Sequence, residues 1–374
     1  VAVENNNIQE LQVISVTFNA EYGRAMSGII NMVTKDGGNN LEGSFRSFLG
    51  DHYSNDKIYR DLDTYNLFNQ SNYEAQISGP IIKDRISFFT SFRKYDTDGW
   101  LSGLNTFDMY GDTLLNIEYR PMNWIDKYSF QNKFTFKLSP VAKLRLNYIK
   151  SDEKSQAYDH YRQMNQGGRS TQYNNGYFLG LNFSYTFSPR SFMDFNISSH
   201  QKIYNSKLFD NLNDSRYITP DSLYWAHIVG TLPEGVDENT NYFPVNSFSR
   251  WGLDRNQFLR KTKSNQIKLD YTNQINIYNQ LKLGFEFQQH NLELDSFSIM
   301  DSSSNDQIFT PFIPELGDTL DLSGNVIPQL ENGRLKFSDE IPSWVTHFHV
   351  NRSYYNQTPI DFSGFLQNKI EYGD

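Results

Sequence analysis

Tyr177-Phe178-Leu179-Gly180-Leu181-Asn182-Phe183-Ser184-Tyr185-Thr186-Phe187 places a large apolar residue at every odd position. After Phe178 its even positions are Gly, Asn, Ser and Thr. That is a period of two, the signature of a β-strand with two unlike faces. The small polar residues suit a wet surface better than a dry core. The same phase recurs at Tyr128, Phe130, Phe134, Phe136 and Leu138, with Ser129, Gln131, Lys133, Thr135 and Lys137 opposite. It returns at Ile267, Leu269, Tyr271, Ile275 and Ile277, and at Leu281, Leu283, Phe285 and Phe287.

Composition fits this pattern. Aromatic residues form 16% of the 374 positions while apolar residues total only 38%, so the apolar mass is carried by rings scattered among polar neighbours. A membrane β-barrel averages to such a composition because lipid-facing and water-facing residues alternate. A Tyr-rich soluble sandwich or propeller shares it. No apolar run reaches the ~18 residues of a membrane helix. The absence of Cys excludes disulfide scaffolds, thiolate metal sites and cysteine nucleophiles. A net charge of −9 argues against nucleic acid as a partner. Val1 is no initiator and no leader pattern follows it, so the N-terminus reads as processed or missing.

Strands are expected near 41–50, 72–80, 86–96, 127–138, 142–151, 176–187, 191–202, 263–277, 280–292 and 362–372. The links at 81–85, 139–141, 188–190 and 278–279 are tight. Those at 51–71, 97–126, 152–175, 203–262 and 293–361 are long. Tight and long links alternate throughout, so one end of the sheet is trimmed and the other elaborated. Outer-membrane barrels carry that asymmetry, with short periplasmic turns and long external loops. The twelve Pro fall in turns, at strand ends or in loops, where no ladder N–H is lost.

Residues 10–45 carry a more specific signal: Ala20-Glu21-Tyr22-Gly23-Arg24, then Ser27-Gly28-Ile29-Ile30-Asn31-Met32-Val33-Thr34-Lys35, then the Gly37-Gly38 turn and Gly43. This resembles the end of the plug domain of TonB-dependent outer-membrane receptors, running into the first barrel strand. Ile77-Ser78-Gly79-Pro80-Ile81-Ile82-Lys83-Asp84-Arg85-Ile86-Ser87-Phe88-Phe89 resembles the second barrel hairpin of the large Bacteroidetes-type members. The two windows cover about a fifth of the chain. From the residues themselves, Gly23 and Gly28 suit positive φ or close approach of chains. Ile29, Ile30, Met32 and Val33 read as a short buried strand, and Thr34-Lys35-Asp36-Gly37-Gly38 as a flexible turn.

The resemblance implies an all-β fold: a transmembrane antiparallel barrel preceded by the C-terminal part of a plug, with residues 1–38 as plug and 39–374 as barrel. Roughly ten strands are counted against the family's ~22, so the chain reads as an internal fragment; a complete ten-stranded barrel is the rival. It further implies a receptor that imports a ligand by energy-coupled plug movement in the outer membrane of a Gram-negative bacterium. The implied partners are outer-membrane lipid, the TonB–ExbB–ExbD complex and, in some members, a surface lipoprotein lid. A passive channel, or a surface adhesion or assembly barrel, is the alternative.

All five Trp fall in the long links. Trp100, Trp225, Trp251 and Trp344 are candidate aromatic platforms for a ligand, against a reading as loop anchors; Trp124 suits the headgroup belt. The plug motif contributes Ala20, Glu21, Tyr22, Gly23, Arg24, Gly28, Asn31, Thr34 and Lys35. Arg24 and Glu21 are expected to pair with wall charges such as Lys133 or Lys137. His347-Phe348-His349 lacks an assignable carboxylate partner for a metal. Asp301, Ser303 and Asn305 begin like a calcium loop, but Asp306 and Phe312 break the EF-hand pattern, leaving only a looser loop calcium site as a cofactor expectation. Asp96-Thr97-Asp98-Gly99 reads as a turn. No Gly-x-Ser-x-Gly elbow, His-Glu-x-x-His or P-loop is present, so no enzymatic activity is expected.

Overall fold

The computed structural model describes residues 3–15, 28–212, 214–217, 248–249, 252–301, 319–320, 326–327, 330–331, 334–335 and 347–370. Its first two strands, β1 (Ile8–Ser15) and β2 (Gly28–Thr34), pair as an antiparallel hairpin. One antiparallel sheet follows: β3 (Glu42–Gly50), β4 (Gln70–Ile82) and β5 (Ile86–Thr97). A separate hairpin, β6 (Ser102–Phe107) with β7 (Thr113–Pro121), stands on the next link. The sheet resumes with β8 (Ile125–Ser139), β9 (Ala142–Ser155), β10 (Thr171–Ser188), β11 (Ser191–Lys207), β12 (Asn256–Gln274) and β13 (Asn279–Asp301). Four two-residue strands, β14 (Thr319–Leu320), β15 (Val326–Ile327), β16 (Leu330–Glu331) and β17 (Arg334–Leu335), form two small hairpins. Last come β18 (His347–Gln357) and β19 (Ile360–Ile370).

Each sheet strand pairs with the next in chain order, a meander. β18 and β19 both pair with β13, from Asp301↔His347 at one end to Asn279↔Ile370 at the other. They act as a single stave interrupted at Thr358-Pro359. Pro359 has no N–H for the ladder, and its carbonyl accepts from the His290 N–H at 2.9 Å. The described sheet is open, with β3 at one edge and β18 and β19 at the other.

The alternation of tight and long links holds along this meander, but several limits shift. β13 runs on to Asp301, β12 starts at Asn256, and the last stave begins at His347. The links expected at 203–262 and 293–361 therefore shorten to 208–255 and 302–346. The added residues, 256–262 and 293–301, mix apolar side chains (Phe258, Leu259, Leu294, Phe297 and Ile299) with polar ones. There Phe297 and Ile299 pack against Phe209 and Tyr217 of the 208–255 link, so the ladder continues where link residues cover the strand. With 23 residues, β13 is about twice the 9–11 that cross a bilayer.

The β1–β2 hairpin lies against one face of β4, β5 and β8, which defines the inner face. On β8 the inner residues Ser129, Gln131, Lys133 and Thr135 are all buried. The opposite face presents Phe45, Ile77, Phe92, Leu179, Ile197, Ile267, Phe285, Phe362 and Leu366 in the open. Polar inside and apolar outside inverts the usual soluble arrangement. An apolar band crossing every strand is stable only against hydrocarbon, since leaving it in water forgoes about 25 cal/mol per Å².

Candidate functional site

The residues that hold the hairpin to the wall are polar. Preceding β1, Asn5–Asn7 forms a 3-10 turn that aims Asn7 at the sheet. The Asn7 amide is buried and saturated: Nδ2 donates to Ser91 Oγ at 2.7 Å and Gln131 Oε1 at 3.0 Å, and Oδ1 accepts from Gln76 Nε2 at 2.9 Å. Arg46 Nη1 donates to Asn6 Oδ1 at 2.8 Å. One turn earlier, Glu4 receives Ser129 Oγ at 2.9 Å, Lys127 Nζ at 3.3 Å and the Arg93 guanidinium. Burial alone would raise the Glu4 pKa, but Lys127 and Arg93, with the Ser129 hydroxyl, bring it below its ordinary value.

A second cluster fixes the far end of the hairpin. Lys133 Nζ donates to the Thr34 carbonyl at 2.8 Å and pairs with Asp36 Oδ1 at 2.7 Å. The same Asp36 carboxylate faces Arg145 Nε at 3.7 Å and Lys143 Nζ at 3.9 Å. The Lys35 N–H donates to the Asn7 carbonyl at 2.8 Å. Beyond it, Gly37 lies flat on β5: a Cβ there would come within 2.7 Å of the Phe88 carbonyl carbon and 2.8 Å of its nitrogen. Asn39 and Asp84 exchange hydrogen bonds at the tight 83–85 turn, where Asp84 takes φ +62°.

Several expectations change here. Lys133 does latch the hairpin, but to Thr34 and Asp36; Ala20, Glu21, Tyr22, Gly23 and Arg24 lie outside the described residues. Residues 34–38 are tethered to the wall, and Asp36 is the anchor. Gly28 needs neither positive φ nor close approach, since a Cβ would sit 3.5 Å from the Ile14 carbonyl oxygen, ordinary contact. The close approach belongs to Gly37. Ile30, Met32 and Val33 are exposed and Ile29 only half-buried; Thr34 alone in β2 is buried. Among the described residues this hairpin has no second apolar layer. Asn31 is exposed too, paired in register with Gln12.

Two hollows flank the latch. One, of about 490 Å³, lies between the hairpin's tail and the wall, lined by Lys35, Asp36, Gly38, Gln76 and Phe89 among others. A niche of about 210 Å³ on the long-link side is lined by Lys127, Ser151, Glu153, Asn174, Asn175, Gly176 and Lys202.

The long links fold on themselves. Trp100 is exposed and meets Tyr59 edge-on, with centroids 6.0 Å apart. Trp124 donates from Nε1 to Gln156 Oε1 at 3.1 Å, tying two strand ends together. Trp225, Trp251 and Trp344 lie outside the described residues, as do Ser303, Asn305, Asp306 and Phe312. Arg169, buried among loop carbonyls, donates to Met122 at 3.0 Å and to Ala157; burial lowers its pKa. Phe209, Tyr217, Phe297 and Ile299 form a small apolar cluster beside them. Of Asp96-Thr97-Asp98-Gly99, expected as a turn, Asp96 and Thr97 still belong to β5 and the chain leaves the strand at Asp98-Gly99, with Gly99 at φ +75° and its N–H donating to Thr97 Oγ1 at 3.0 Å.

Searching protein-family models returns no match. Over 112 residues, 27% of this chain, the sequence is 31% identical to the TonB-dependent transporter Oar of Myxococcus xanthus. The outer membrane transporter YddB from Escherichia coli superposes on 99% of the chain with a TM-score of 0.53 at 10% identity. FpvA of P. aeruginosa, solved bound to heterologous pyoverdines, superposes on 97% with a TM-score of 0.53 at 12% identity. The chain has the fold of these outer-membrane proteins, and over 112 residues its sequence is similar to that of a TonB-dependent transporter. The chain spans 11% of the length of Oar, 42% of YddB and 39% of FpvA. The all-β barrel fold expected from the alternation is the fold of these neighbours, and Oar and YddB are transporters.

Glu4, Asn7, Asp36 and Arg93 escaped the reading of the sequence. The one available signal was the inward phase of Ser129, Gln131 and Lys133, which announces a polar partner without naming it.

Proposed function

We propose that this receptor imports a ligand across the outer membrane, with residues 1–38 as the end of a plug that an inner-membrane TonB–ExbB–ExbD complex displaces. Residues 39–374 form barrel wall and external loops, and Trp100 with Tyr59 serves as an aromatic contact for ligand. The single observation that carries this reading is the polar character of the latch. Hydrogen bonds and ion pairs beside a wet bore exchange for water at a net ~1 kcal/mol each. An apolar seam of similar size would lose its burial on every cycle. A part held this way is fixed at rest yet releasable under a pull.

Uptake in cells before and after collapse of the proton gradient tests this. Import should stop when the gradient is lost; import that continues at its full rate would refute energy coupling.

A further inference from the structure

Lys127 belongs to two places at once. Its Nζ stands 3.3 Å from Glu4 Oε1, on the hairpin's side, and its side chain lines the niche on the long-link side. Glu153 lies directly across from Lys127 in the β8–β9 register, and Lys202 enters from β11. Two ammonium groups and one carboxylate line the niche, and Glu4 meets the Lys127 ammonium from the hairpin side. Ser151 and Asn174, on the same face, add one hydroxyl and one amide group. A space of about 210 Å³ suits a group of amino-acid size.

We propose that this niche receives a single carboxylate of the ligand and that Lys127 is the link between it and the plug. This deepens the import reading and rests on it. One carboxylate can take the place of Glu4 at Lys127 charge for charge; a dianionic phosphate would exceed that exchange and face Glu153. On arrival, the carboxylate competes with Glu4 for Lys127. Glu4 then keeps Arg93 and Ser129 but loses one of its two cations, so the 3-10 turn at Asn5–Asn7 is held less firmly. Occupancy outside is thereby reported to the segment that must move. Lys202 serves affinity alone, because its place is in the niche and not on Glu4. Lys127 serves both affinity and signal.

The test uses N-acetylglycine as probe and its neutral isostere N-acetylglycinamide as control, titrated into the full receptor in detergent micelles with no coupling complex present. Amide hydrogen exchange of residues 8–14 and 28–34 is followed alongside binding. N-acetylglycine should bind saturably and speed exchange in that hairpin about threefold, while the amide does neither. Lys202→Met should weaken binding about fivefold. Lys127→Met should abolish the acceleration at saturating probe. Equal binding of the amide, an unchanged affinity in Lys202→Met, or saturation without faster exchange would each overturn the proposal. Because nothing here is energised, failure of this test is separate from failure of gradient-driven import.

Discussion

Lys133 and Asp36 meet at 2.7 Å on the inner wall, and the lysine side chain is 8% exposed while the carboxylate is 31% exposed. The asymmetry has a consequence. Asp36→Ala leaves a buried ammonium with only Thr34 as partner, whereas Lys133→Met leaves a half-exposed carboxylate that still faces Lys143 and Arg145. The first should loosen the hairpin by about 1–3 kcal/mol and the second by less. Hydrogen exchange of the β2 amides in each variant measures the difference, and the reverse order would show that Asp36 is not the anchor.

Gly37→Ala forces a methyl into the Phe88 backbone, which cannot retreat without breaking the β5 ladder. Limited proteolysis should cut the 35–40 segment several times faster in that variant. Gly28→Ala, with ordinary contact at 3.5 Å, should change stability by roughly 0.5 kcal/mol or less.

Acid should release the front of the hairpin. The Glu4 pKa lies below its ordinary 4.5, so its contribution is complete above that pH and is lost as pH falls through the depressed folded value. A spin label at Asn5 should gain mobility as pH drops below 4.5 in the parent. Glu4→Gln should be mobile already at neutral pH and show a flatter response.

The outer face answers to lipid. Phe285→Lys, on the exposed apolar band, should cost about 2–4 kcal/mol in folding into bilayers, while Ser198→Lys, on the inner face, should be nearly neutral. Urea titration in vesicles compares the two, and equal costs would contradict the assignment of faces.

The staves were legible because rings and small polar residues alternate wherever lipid lies on one side and water on the other. Tyr177–Phe187 and Tyr128–Leu138 therefore fall inside β10 and β8 with the expected faces. Strand tops such as 256–262 were missed because adjacent Phe258 and Leu259 followed by Arg260-Lys261-Thr262 break the period of two. β7 does alternate, with Leu115, Ile117 and Tyr119 against Asn116, Glu118 and Arg120, but it is short and lies inside the 97–126 stretch read as a link. The latch was half legible. Lys133 could be assigned to the wet side from its phase, but its partner Asp36 lies 97 positions earlier and looked like turn chemistry. Glu4 and Asn7 sit in an Asn-rich run whose local reading is a turn, and only the folded register brings them to Arg93, Ser91 and Gln131.

Displacement of the hairpin is most directly tested by locking it. The chain has no Cys, so Asn7→Cys with Ser91→Cys introduces the only thiol pair, at side chains now 2.7 Å apart. Joined by a short bifunctional thiol reagent, that pair should abolish ligand import in energised cells, and cleavage of the link should restore it. Import at the parent rate with the link intact would contradict the account.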